Sequence, residues 1–216
     1  MVFLIENALR AQELLSKYIV IQPIDVSAID IVAGVDVSYR RDVGCAAAVA
    51  YSLKSKALVT YSYYCEKVTV PYIPGLLAFR EAPLMLRTLL HLLSKVRIDI
   101  TFVNGHGMAH PRRCGIASHI GVVLNIPSIG VAKSLLYGEV VRADDSEAIV
   151  IDNMIVGYVL TKNSKKLYVS IGNKVTAKDA ADITLKTWDF RYSLPEPLRL
   201  ADEISRKIVK KLATKL

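Results

Sequence analysis

Residues 97–134, RIDITFVNGHGMAHPRRCGIASHIGVVLNIPSIGVAKS, decide the fold. They read as a short apolar strand, a glycine-rich turn, a Pro-Arg-Arg helix start, a helix, and a second strand that ends beside Lys133. That is a strand-helix-strand unit of a layered α/β protein. Ligands of such sheets sit beyond the carboxyl ends of the strands, so Asn104, Gly105, His106, Gly107 and His110 fall where chemistry is expected. Gly105 and Gly107 suit a tight turn and a close backbone approach by a ligand. Pro111 fits a first helical turn, with Arg112 and Arg113 at the helix start as a phosphate seat or, alternatively, as a solvated pair.

Upstream, Ala28 to Tyr39, Val43 to Leu53 and Ala57 to Val68 are β-rich runs whose short polar links require antiparallel hairpins. Asp36 lies within the first run, between Val35 and Val37 and on the opposite face from both. A buried carboxylate needs a partner, and the alternatives are a divalent cation and a structural hydrogen bond. Neither Asp30 nor Asp99 can replace it: Asp30 is roughly 20 Å away along its strand, and Asp99 starts the strand that Asn104 ends. Pro71-Tyr72-Ile73-Pro74-Gly75 is stiffened by its prolines, so Tyr72 and Ile73 either project as a wedge between base steps or pack beneath a turn. Pro83 is placed in the first turn of the leucine-rich helix that follows, which puts Glu81 at or near the N-terminus, where capping is the simplest role.

Glu6 to Tyr18 forms an outer helix with Ala8, Ala11, Leu14, Leu15 and Tyr18 on one stripe. Downstream, Gly138 to Asn153 reads as a charged loop with a short apolar run, and Ile155 to Thr161 pairs with Lys166 to Ile171 as a hairpin. Thr176 to Phe190 is helical, and a final helix after Leu194-Pro-Glu-Pro197 carries Arg206, Lys207, Lys210, Lys211 and Lys215 on its polar faces.

The 216 residues fit one domain, 1–216, with a sizeable core, since 52% are hydrophobic and 22% charged. The net charge of +8 favours polyanions. Val43 to Leu53 is uncharged but spans only about half of the roughly 20 residues a membrane-crossing helix needs. Met1-Val-Phe-Leu-Ile meets Glu6 too soon for a signal-peptide core of about 7 to 15 residues, so the cytoplasm is the expected compartment. Cys45, Cys65 and Cys114 lack CxxC spacing and are expected to be buried free thiols. No Walker loop, dinucleotide fingerprint or GxSxG elbow is present, which disfavours nucleotide-cofactor and serine-hydrolase chemistry.

The segments GVDVSY, PYIPGLLAFRE, VNGHGMAHPRRCGIASHIGV, IPSIGVAKS and YSLPEPLRLAD together resemble the endonuclease V family of deoxyinosine-directed repair nucleases, in the family's order and over nearly the whole chain. The resemblance implies a ribonuclease H-like α/β fold whose mixed five-stranded sheet has three antiparallel strands followed by parallel ones, flanked by helices. It further implies hydrolysis of the second phosphodiester bond 3′ to a deoxyinosine, dependent on Mg2+ with Mn2+ as a substitute, leaving 3′-hydroxyl and 5′-phosphate ends. By position, Asp36, Glu81, Asn104 and Asp202 match metal-site residues, and Lys133 the lysine of the GVAK segment. Tyr72 matches the wedge, and Ile73, Pro74, Gly75, Arg80, Gly105, His106, Gly107, His110, Arg112 and Arg113 match the nucleic-acid-binding segments.

The implied partner is inosine-containing DNA, with inosine-containing RNA as a second substrate class, and no protein partner is implied. One departure stands out: the family's strand before GxGxAHPRR ends in Asp, whereas this chain has Asn104. A carboxamide oxygen can touch Mg2+ but brings no negative charge, so impaired catalysis is expected. The alternatives are a non-catalytic inosine or nucleic-acid binder and another ribonuclease H-like nuclease acting on RNA or branched DNA.

Overall fold

Strands β1 (Ile31–Arg40), β2 (Val43–Ser52) and β3 (Ala57–Lys67) form an antiparallel meander. β4 (Ile100–Asn104) runs parallel to β1, and β5 (Ser128–Ala132) runs parallel to β4. The computed structural model describes residues 3–143 and 146–212. Met1 and Val2 of the N-terminal apolar run, Asp144 and Asp145 of the charged stretch, and residues 213–216, including Lys215 of the basic face, lie outside the described residues.

These first strands follow the order expected from the sequence, but the sheet does not stop at five. β6 (Glu139–Ala143), β7 (Ser146–Ile151), β8 (Met154–Lys162) and β9 (Lys165–Asn173) extend it through antiparallel pairs, with β9 against β5. Among the described residues the nine strands run β3-β2-β1-β4-β5-β9-β8-β7-β6. The stretch expected to be a charged loop is therefore mostly β6, at the edge of the sheet, and β7 beside it, short strands whose charged residues mask the alternation.

Helices cover both faces. α2 (Leu77–Leu93) and α3 (Ile116–Leu124) bury Leu84, Met85, Leu89 and Ile120 against Ala33, Val35, Ala46 and Ala48, with α1 (Ile5–Ser16) behind α3. α4 (Ala177–Thr187) and α5 (Glu196–Leu212) close the other face over Val32, Phe102, Val169 and Ile171. α5 comes so close to β1 that a Cβ on Gly34 would lie 2.3 Å from the Pro197 carbonyl oxygen, so only glycine fits there. No helix among the described residues is long and apolar enough to cross a membrane.

Several local expectations are corrected. α2 starts at Leu77, so Pro83 lies inside the helix and Glu81 in its second turn, not at its N-terminus. An interior proline costs about 3 kcal/mol in propensity, and the buried flank of Ala82, Leu84, Met85 and Leu89 offsets it. Pro111 does not open α3: Pro111-Arg112-Arg113 is a turn before Gly115, with Arg113 in the left-handed region at φ 50°. Along α1 the inward residues are Ala8 and Gln12, while Leu14 and Tyr18 are 51% and 70% exposed. Cys45 and Cys65 are not free thiols: the β2–β3 register sets them opposite each other, Cα atoms 4.1 Å apart, and they form a disulfide. Cys114 is free and buried.

Candidate active site

A cavity of about 380 Å³ opens where β4 ends beside Asp36 of β1, between α2 and the turn after β4. Asp36, Glu81 and Asn104 line it together with Tyr72, Gly75, Gly105, His106 and His110. Asp36 arrives from β1, Asn104 from the end of β4 and Glu81 from α2, each held by an element whose apolar face is in the core. Asn104 Nδ2 donates to Asp36 Oδ1 at 2.8 Å. Asp30 and Asp99 are occupied at the other end of β1: Asp99 Oδ2 accepts the N–H groups of Asp30 and Ile31 at 2.9 and 2.8 Å, and Asp30 Oδ1 accepts Ser52 and Lys54.

Burial pushes the Asp36 carboxyl up to about 6; the Asn104 hydrogen bond opposes the rise, and the charge of Asp202 adds to it. Burial, then the charge of Asp36, pushes Glu81 up to about 7. Asp202 approaches from α5 and is paired with Arg206 at 2.7 Å. A cation beside these buried carboxylates would favour their ionised form. Mg2+ suits such hard oxygen donors, since it takes one or two carboxylates and completes its shell with water and phosphate oxygens. Among the described residues no group of three or more Asp, Glu, His or Cys could hold a metal ion, and the side chain bonded to Asp36 is the neutral Asn104.

Both folded-state values lie above the ordinary 3.8 and 4.5, so protonation of these groups favours the metal-free fold. That contribution is complete below about pH 4 and is lost as pH rises through 6 to 7. A divalent cation competes with those protons, so Mg2+ raises Tm more at pH 8 than at pH 5.5. At ten times Kd the gain is about 1.4 kcal/mol, or roughly 3–5 °C for a chain of this size. Thermal melts with and without Mg2+ at both pH values check this, and equal shifts would contradict it.

Other expected site residues divide. Tyr72 is 67% exposed and lines the cavity, and Ile73 faces a neighbouring apolar hollow. Pro74 is exposed, and so is Lys133, one residue past β5. His106 Nε2 lies 2.8 Å from the Ser134 carbonyl oxygen, and burial lowers its pKa. Arg80 stacks 4.4 Å over the Tyr39 ring and donates to the Val70 carbonyl, and Arg113 pairs with Asp152 at 2.6 Å. Arg112 is turned inward, bonded to Gln12 and Gly75, so it forms no phosphate seat at a helix start. Gly107 does not line the cavity: a Cβ there would lie 2.0 Å from the Ile171 carbonyl oxygen, so it serves close packing against β9.

Sequence reasoning missed Gln12, which is fully buried and lines the cavity. Its spacing from Ala8 along one helix face was the available signal. It also missed Tyr39, whose pKa is raised by burial and then by the charge of Glu81.

Residues 13–203 match the sequence profile of a family described as Endonuclease V. Endonuclease V from Desulfurococcus amylolyticus is 42% identical over 214 residues, covering 96% of this chain and 97% of its own. The crystal structure of Endonuclease V from Bacillus subtilis superimposes with a TM-score of 0.90 at 26% identity, covering 100% of this chain and 96% of that one. Ciona intestinalis Endonuclease V, solved with a 24mer DNA containing an inosine followed by a ribo-adenosine, superimposes with a TM-score of 0.86 at 29% identity. That match covers 96% of this chain and 98% of the Ciona chain.

Proposed function

The chain belongs to the endonuclease V family, and from that premise we propose that it recognises deoxyinosine in DNA and hydrolyses the second phosphodiester bond on its 3′ side. The ends left are a 3′-hydroxyl and a 5′-phosphate. The observation that carries this reading is the shared cavity, with Asp36, Glu81 and Asn104 beside Tyr72, Gly75 and His110. Metal chemistry and a base pocket would then be served by one opening.

Asp36 and Glu81 would hold Mg2+, with the Asn104 carboxamide oxygen beside them and Asp202 behind. When bound, the ion supplies Lewis-acid polarisation of the scissile phosphate. The Lys133 ammonium would meet the negative charge that grows on the phosphate in the transition state. Hypoxanthine differs from guanine by lacking the exocyclic amine, a difference best read once the base has left the stack. Tyr72 would fill the gap left behind, while Gly75 and Gly105 leave room for the base. The basic net charge of +8 supports attraction to the phosphate backbone, DNA and inosine-containing RNA alike.

A second reading is inosine binding without turnover, and the Asn104–Asp36 hydrogen bond favours it, because an amide N–H takes up a lone pair of Asp36 Oδ1 that would otherwise be open to a cation. The test of the main reading is a nicking assay on end-labelled duplexes carrying one inosine, performed with the Asn104→Asp variant. The expected product maps one nucleotide beyond the phosphodiester adjoining the lesion and requires Mg2+. Nicking that ignores the inosine, or proceeds equally in EDTA, would overturn it.

A further inference from the structure

Gln12 is a polar side chain with 0% exposure, on a helix otherwise remote from the carboxylates. A buried carboxamide must place its donors and its acceptor, and this one does so across separate segments. Its Nε2 donates to the carbonyl oxygens of Gly75 and Cys114, each at 3.1 Å, and its Oε1 accepts from Arg112 Nε at 2.7 Å.

The Gly75 carbonyl also receives Arg112 Nη2 at 3.0 Å and His110 Nε2 at 2.9 Å. His110 Nδ1 accepts the Arg112 backbone N–H at 3.2 Å, so the proton belongs on Nε2 and that nitrogen donates. One carbonyl, with two lone pairs, thus takes three donors drawn from α1 and the Pro111 turn. Gly75 closes the Pro71–Gly75 loop that projects Tyr72, and Ile5 at the start of α1, with Phe3 and Leu4 before it, lines the same apolar hollow as Ile73 of that loop. α1 therefore braces the loop from behind at its Gly75 end.

We propose that Gln12 is a positioning residue for lesion recognition: it fixes the height of the Tyr72 loop over the cavity and thereby sets the preference for an inosine site over undamaged duplex. The proposal rests on reading the cavity as the pocket of the displaced base with Tyr72 as its wedge. Gln12 is fully buried at the floor of the cavity and acts through the Gly75 carbonyl. A residue that only supported the fold would weaken binding to all DNA alike. One that positions the wedge changes the ratio of the two affinities, and loses its effect once the wedge is gone.

The experiment measures Kd by fluorescence anisotropy for an inosine duplex and its undamaged counterpart in Mg2+, for the chain as it stands and for variants. Gln12→Leu lowers the affinity ratio about tenfold. Gln12→Glu keeps an acceptor for Arg112 but loses both donations, and lowers the ratio nearly as far; it also serves if the leucine variant does not fold. In a Tyr72→Ala background neither substitution lowers the ratio further. Folded Gln12 variants with an unchanged ratio, or with equal losses in both backgrounds, overturn the proposal while leaving the proposed function intact. A parent chain that binds both duplexes equally overturns that function and this proposal together.

Discussion

Asn104→Asp raises Mg2+-dependent nicking of an inosine duplex by at least about a hundredfold, which is ~2.7 kcal/mol of transition-state stabilisation. The reason lies at the end of β4, where a neutral amide now donates to Asp36 at 2.8 Å. A carboxylate there cannot donate; it supplies a further anionic oxygen and removes the competitor for the Asp36 lone pair. The variant also shows a cost. A further acid beside Asp36, Glu81 and Asp202, the first two already pushed up to about 6 and 7, raises the repulsion and lowers the metal-free Tm at pH 8. Mg2+ recovers that loss. Single-turnover nicking and paired melts check both halves, and equal rates for the parent chain and the variant would refute the assignment of position 104 to the metal site.

Asp36→Asn has opposite effects on activity and on stability. In the Asn104→Asp background it lowers nicking by about a thousandfold or more, ~4 kcal/mol, because the best-buried acid of the site is gone. In both backgrounds it raises metal-free stability at pH 8 by about 1–3 kcal/mol, since an ionised group 6% exposed is replaced by a neutral one of the same shape. The gain fades at pH 5, where the Asp36 carboxyl, pushed up to about 6, is already protonated. Chemical denaturation at the two pH values separates the cases. A metal-free protein less stable at pH 8 after the substitution would mean that Asp36 is a structural anchor.

The half of the sheet that carries these acids was legible because its signals are local. Arg41-Asp42 leaves no room for anything but a hairpin between β1 and β2, and the run from Ile98 to Val131 alternates strand, helix and strand. Proline rules failed where tertiary burial prevailed: Pro83 looked like a first-turn residue but lies inside α2, held there by the core contacts of Leu84 and Met85. Pro111 failed for another reason, because Arg113 takes a left-handed conformation that a helix start does not contain.

Strands β6 and β7 were missed because they are only five and six residues long, too short to show much alternation, and Glu139, Arg142 and Glu147 read as loop charges. At the site, the carboxylate of Asp36 stands out inside apolar sequence, whereas Glu81, beside Arg80, reads as a helix cap and joins the expected metal set only through the family resemblance. Gln12 was missed, since a glutamine on an amphipathic helix looks solvated until its partners at Gly75, Arg112 and Cys114, far away in sequence, are known. The pairing of Cys45 with Cys65 likewise depends on hairpin register, which thiol spacing alone does not reveal.

The bond between Cys45 and Cys65 ties the outermost strand to its inner neighbour at the level of Ser38, just beyond Asp36 on the adjoining strand. Dithiothreitol in a buffer thus does more than protect Cys114: it leaves β3 retained by its ladder and its packing on α2. Oxidised and reduced preparations are two different molecules at that margin of the sheet, and thiol content belongs beside pH and salt in the description of any sample.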